Sequence, residues 1–290
     1  MTKVLLNRSL LILAFISCSL WSFGQDTEED TGKLPVRGTF TAGLLIDNPT
    51  IMSTAGKSLE LNIQHRFSPI RKSNSMSDIL GIYGDANTRI ALTYGINDKI
   101  AVGFGTTRYN KLQDLNWKVA LLKQTRSGSV PLSISYYGNM VLDARSDDSF
   151  YPKENYRFIH RFSYLTEVIF ARKFNDVLSL QIAPQIAYVN AVDTLHKNLN
   201  YGFSFGGRAK LWESKSIIFE YDQPLTSGTD VKPNLGLGLE IGTATHAFQV
   251  FVANYQGIIG QQNLAFNTND PFAKGLGTTF VFGFNITVRF

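Results

Sequence analysis

The sequence predicts an all-β fold, an antiparallel transmembrane β-barrel of about twelve strands with short periplasmic turns and long outer loops. Three observations lead there. The last strand, 278–290, places Phe280, Phe282, Phe284, Ile286, Val288 and Phe290 on one face. Thr279, Val281, Gly283, Asn285, Thr287 and Arg289 fall on the other, because side chains alternate with period two along a strand. Eleven earlier segments repeat this division, and the links between segments alternate between short and long.

The chain begins like an export signal. Lys3 and Arg8 form a basic start, Ser9 to Leu20 is mostly apolar, and Ser22-Phe23-Gly24 ends in a small residue. Residues 1–24 therefore read as a signal peptide cleaved after Gly24, since the apolar run is too short for a good spanning helix. The only cysteine, Cys18, lies inside this signal. An acylated Cys18 would make a lipoprotein, but Phe15-Ile16-Ser17 is a poor preceding sequence. The mature chain then has no disulfide and no thiolate metal site.

Residues 25–35 are acidic and aperiodic, a leader on the periplasmic side. Within the wider 25–57 stretch, Thr39 to Ile46 has strand character and Asp47-Asn48-Pro49 would end it. A further full strand would break the even count, so this stretch is expected at the periplasmic rim or in the lumen as a small plug.

Residues 58–290 supply the barrel. Leu59, Leu61, Ile63, His65 and Phe67 oppose Glu60, Asn62, Gln64 and Arg66. The same division recurs around Ile90–Tyr94, Ile100–Phe104, Trp117–Leu121, Leu132–Tyr136, Phe162–Phe170, Leu178–Tyr188, Tyr201–Phe205, Ile217–Tyr221, Leu235–Ile241 and Phe248–Val252, with Phe251 an exception. Short turns fall near Asn97-Asp98, Ser127-Gly128, Asn175-Asp176, Glu213-Ser214 and Thr243–Thr245. Longer links fall at 68–87, 108–115, 142–157, 190–200, 223–234 and 255–277. A secreted β-sandwich also alternates, but twelve such apolar faces would all need cover.

The polar faces carry opposed charges: Arg66, Arg89, Lys118, Arg161, Arg208, Lys210 and Arg289 against Glu167, Glu220 and Glu240. These are the candidate lumen-lining residues, able to pair across a barrel interior. The net charge of +5 becomes +3 once Lys3 and Arg8 leave with an acid-free signal, too small and scattered for nucleic-acid binding. Inward glycines at 202, 206, 236, 238 and 242 would leave space along one wall.

The stretch Tyr94-Gly95-Ile96-Asn97-Asp98-Lys99-Ile100, followed by Val102-Gly103-Phe104-Gly105, joins His65-Arg66-Phe67, Lys111, Asp114, Lys118 and Leu121-Leu122-Lys123-Gln124 in a pattern. It resembles a family of exported bacterial β-barrel proteins classed as a domain of unknown function, most closely over 58–140 and more loosely to Phe290. The resemblance implies an outer-membrane barrel and brings no substrate or catalytic residues. The aromatic end also resembles the signal that barrel-assembly machinery reads on its clients.

Chemistry is sparse. The histidines are His65, His160, His196 and His246. A barrel lipid hydrolase needs serine beside histidine, and strand periodicity would separate His160 from Ser163. His65 reads as an interfacial girdle residue, and Arg66 as the partner of a lumen carboxylate. Asp143, Asp147, Asp148 and Glu154 make one loop acidic, but their spacing fits no calcium loop. No catalytic, metal or cofactor residues are assigned. The expected role is a narrow pore for small solutes in the outer membrane of a Gram-negative-type bacterium. The alternatives are a docking barrel for an envelope complex and, below it, a lipid hydrolase. Expected partners are membrane lipid, the assembly machinery through Phe290, and a protein at outer loops bearing Phe150, Tyr151, Phe266 and Phe272.

Overall fold

A computed structural model describes residues 34–70, 77–79, 81–150, 155–273 and 279–290. The expected signal at 1–24 with Cys18, the expected leader to 33, Tyr151 and Glu154 lie outside the described residues. Twelve antiparallel strands form one closed barrel in sequence order. They are β1 (Leu59–Arg66), β2 (Asn87–Gly95), β3 (Ile100–Thr107), β4 (Leu112–Leu122), β5 (Ser133–Asp143) and β6 (Phe162–Lys173). The remainder are β7 (Leu178–Val189), β8 (Leu199–Lys210), β9 (Lys215–Pro224), β10 (Asn234–Gly242), β11 (His246–Ala253) and β12 (Val281–Arg289). Closure runs from Glu60 opposite Arg289 to Arg66 opposite Gly283, which leaves no free sheet edge.

The burial pattern is inverted relative to a water-soluble protein. Along β3, Ile100, Val102 and Phe104 are exposed while Ala101, Gly103, Gly105 and Thr107 are buried. Val250 is 61% exposed while Glu220, in the lumen, is 0% exposed. An apolar outer belt around a polar interior is stable when the outside is hydrocarbon. Among the described residues no helix is long and apolar enough to cross a membrane, so spanning rests on strands.

The start of β1, the end of β12 and the short links sit at one end of the barrel, the turn end; the long links join the strands at the loop end. Several strand boundaries differ from the sequence reading, β4 most of all. β4 begins at Leu112, not after residue 115, because Asp114 faces inward and binds Arg89. A register shift between Ala120 and Leu122 then leaves both Leu121 and Leu122 outward. The long link after β11 contains a short helix, α1 (Gly260–Phe266), which turns Gln261, Leu264 and Ala265 into the barrel. Phe251 faces inward because Gly238 and Gly283, opposite it on both neighbouring strands, leave room for its ring.

Candidate functional site

The lumen is filled by the chain's own amino-terminal segment. Leu44 and Pro49 pair as a bridge, so Leu45–Asn48 form the tip of a tight turn inside the barrel. Phe40, Leu45 and Ile46 are buried in one cluster with Ile218, Phe251 and Tyr255. The inward glycines do not leave open space; they are seats. A Cβ on Gly206 would lie 2.5 Å from Leu45 Cδ1, and one on Gly236 would lie 2.6 Å from Ile46 Cδ1. Gly242 accommodates Thr41 in the same way, and Gly202 accommodates Leu264 of α1.

The predicted lumen charges hold this plug. Arg66, fully buried, donates to Asp47 Oδ1, to Ile46 O at 3.3 Å and to Asn285 Oδ1 at 2.9 Å. Its guanidinium also lies 4.2 Å from the Phe251 ring centre. Glu220 Oε2 accepts the backbone N–H groups of Asp47 at 2.9 Å and Asn48 at 3.1 Å. Asn48 Nδ2 donates to Asp222 Oδ1 at 2.7 Å. On the opposite wall Lys118 Nζ donates to Gly43 O at 3.1 Å and Met52 O at 2.7 Å. Arg289 bridges Glu60 and Thr41 O, while Arg208 reaches Gly38 O at 3.2 Å and Glu240 at 3.5 Å. Buried carbonyls and N–H groups without such partners would be costly, which is why the wall is polar where the plug is backbone.

Four predicted residues take other positions. Arg89 forms a two-pronged pair with Asp114 at 2.8 and 2.7 Å and donates to Gln64, whose own amide donates to Asp47 of the plug tip at 3.0 Å. Glu167 accepts from Gln185 at 2.8 Å. Arg161 lies in a 3-10 turn at the loop mouth, bonded to Tyr156, Asp147 and the carbonyls of Asp143 and Arg145. Lys210 is half-buried beside the turn-end cavity.

The plug and α1 divide the interior. A cavity of about 620 Å³ opens at the loop end and one of about 530 Å³ at the turn end. A small cavity of about 50 Å³ lies between them on the β1–β5 side, bounded by Arg89, Asn116, Lys118, Tyr137 and Glu60. From the loop end, Tyr255 donates its hydroxyl to Glu220 Oε1, and Gln261 Nε2 donates to Asn139 Oδ1 at 3.4 Å.

Period-two spacing does not separate His160 from Ser163, because 158–161 is a 3-10 turn; both line the loop-end cavity. His160 Nδ1 accepts the Arg157 N–H at 3.2 Å. His196 Nδ1 sits 2.6 Å from Asp193 Oδ1, and its ring packs on Phe266. The His196 side chain and the Leu195 N–H together hold the Asp193 carboxyl below the usual carboxylate range. Asp143 pairs with Arg145 and Asp147 with Arg161, and among the described residues no group of three or more His, Cys, Asp or Glu could hold a metal. Of the loop aromatics, Phe272 is 65% exposed, while Phe150 and Phe266 are half-buried.

Comparison with solved structures finds likenesses of fold. A KdgM porin in complex with disordered oligogalacturonate matches with a TM-score of 0.50 at 9% identity, over 80% of this chain and 99% of that chain. An outer membrane channel from Pseudomonas putida F1 matches with a TM-score of 0.48 at 9% identity, over 82% and 97%. Comparison with curated proteins finds no match. Comparison with protein families matches residues 40–290 to a membrane bound beta barrel domain, DUF5777. That match takes in the plug from Phe40 onward and every strand of the closed barrel, and the chain belongs to this membrane bound beta barrel domain family.

Proposed function

We propose that the chain is an outer-membrane conduit for small solutes, closed at rest by its own amino-terminal plug. One observation carries the reading: two roomy cavities at opposite ends are separated by a segment held through hydrogen bonds rather than by the barrel wall itself. A plug held by side-chain contacts can leave without breaking the strand ladder. The long links then face outside and the turn end faces the periplasm, with the exposed Phe290 available to the assembly machinery. The protein acts by passage and not by catalysis.

Planar-bilayer recording tests this. The full-length protein gives small or rare openings, and a variant lacking residues 34–54 gives a steady, larger conductance. Silence of both, with the barrel shown to be folded, would overturn the proposal. A docking barrel is the second reading, favoured by the exposure of Phe272 at the loop end; that role predicts silence of both proteins and recovery of a bound envelope protein after gentle extraction.

A further inference from the structure

The loop-end cavity has the chemistry of a recognition site, not only of an entrance. Gln261 is fully buried in it, and its Oε1 has no hydrogen-bond donor. A buried acceptor left unpaired is costly, so its position calls for a donor brought from outside. Around it the lining is rich in amides, among them Gln262, Asn263 and Asn110. Side-chain amides both donate and accept, which matches hydroxyl groups that do the same. Tyr109, Phe162 and Phe266 add flat apolar faces.

The charged groups lining the cavity already have partners. Asp143 pairs with Arg145 at 2.6 Å and Arg161 with Asp147 at 2.5 Å, and the Asp193 carboxylate is hydrogen-bonded to His196 at 2.6 Å. An ionic ligand would have to break one of these pairs, whereas a neutral one leaves them all in place. A volume of about 620 Å³ admits a molecule of one or two sugar rings.

We propose that this cavity binds a neutral polyhydroxylated solute of mono- or disaccharide size, with Gln261 Oε1 accepting one of its hydroxyl protons. The proposal rests on the conduit reading in that it names the class of solute the conduit admits. It also places the solute beside the polar route inward, since Gln261 is bonded to Asn139, which leads to Tyr137 and Asp114 on the β1–β5 side.

Isothermal titration calorimetry on the full chain, folded in detergent, tests it with glucose, maltose and sucrose as neutral probes and lactobionate as an acidic disaccharide. At least one neutral saccharide gives saturable heat, and lactobionate binds more weakly. Gln261→Leu and Gln261→Asn each weaken that binding by about tenfold, the effect of one buried hydrogen bond. Heat-modifiable electrophoretic mobility checks that both variants remain folded barrels. Absence of binding by all three neutral saccharides, tighter binding of lactobionate, or full affinity in both folded variants would overturn the proposal. Calorimetry needs no current, so the two readings fail separately. Current without saccharide binding removes the ligand assignment alone, and saccharide binding without current removes the conduit alone.

Discussion

Replacing Arg66 by Met should release the plug. Arg66 is the cation at the plug tip, where Asp47, Glu220 and Asp222 converge. Its removal leaves the Asp47 carboxylate buried without its partner and deprives Ile46 O and Asn285 Oδ1 of one donor. Breaking a buried ion pair by removing one partner costs about 3–5 kcal/mol. The strands keep their ladder, so that cost falls on the docked plug and is relieved when Asp47 reaches water. The docked-to-released ratio should therefore fall by about two to four orders of magnitude, at 1.4 kcal/mol per factor of ten. The sequence has a single Cys, Cys18, so Asn48→Cys with Cys18 replaced by Ser supplies a unique reporter thiol. Maleimide labelling of Asn48→Cys should be slow in the parent and at least a hundredfold faster with Arg66→Met. Adding Asp47→Asn to Arg66→Met should slow labelling again, because a neutral amide needs no counter-charge. Equal labelling with and without Arg66, or no recovery in the double variant, would refute the reasoning.

Other perturbations follow from the same geometry. Gly236→Val should displace the plug by filling the seat of Ile46, raising bilayer conductance while heat-modifiable mobility is retained. Lys118→Met strips a donor from Gly43 O and Met52 O and should raise open probability less than Gly236→Val does, since the apolar tip stays seated. Leu264→Ala removes the side chain that α1 seats against Gly202; at about 2–5 kcal/mol for a buried leucine, the 254–273 region should become the first site of limited proteolysis. Val250→Arg, on the outer belt, should destabilise the barrel in phospholipid vesicles by about 2–4 kcal/mol if it lies near the bilayer midplane, read from guanidinium unfolding.

The barrel was legible because lipid imposes a two-residue period that water-soluble packing rarely sustains over so many strands. Phe251 stood out as an exception in the alternation, and its cause is local: glycines opposite it on both neighbouring strands make room for an inward ring. By sequence Asp114 falls in the 108–115 link, because an isolated charge looks solvated; its pairing with Arg89 is a contact across strands that spacing alone does not show. Gly206 and Gly236 were recognisable as inward and small, yet smallness does not distinguish open space from a seat for Leu45 and Ile46. The plug segment itself offered both a rim and a lumen position, since Thr39 to Ile46 alternates like a strand while most of its hydrogen bonds go to side chains of the wall. Helix α1 has only seven residues and carries too short an apolar pattern to emerge from an outer loop.

The plug and the loop end meet at one carboxylate. Glu220 accepts Asp47 and Asn48 N–H groups on one oxygen and the Tyr255 hydroxyl on the other. These bonds are strong because the group is sealed from water on both sides. When the plug leaves, water reaches Glu220 from the turn end, and the Tyr255 bond must compete with hydration. When the 254–273 region moves, water arrives from the loop end and weakens the hold on the plug tip. Each closure therefore stabilises the other through a shared acceptor, and a coupling of this kind is reciprocal. On the conduit reading, a solute that binds beside Gln261 and shifts α1 would act on the plug through Tyr255 and Glu220, and entry at one end would favour release at the other without any movement of the barrel wall.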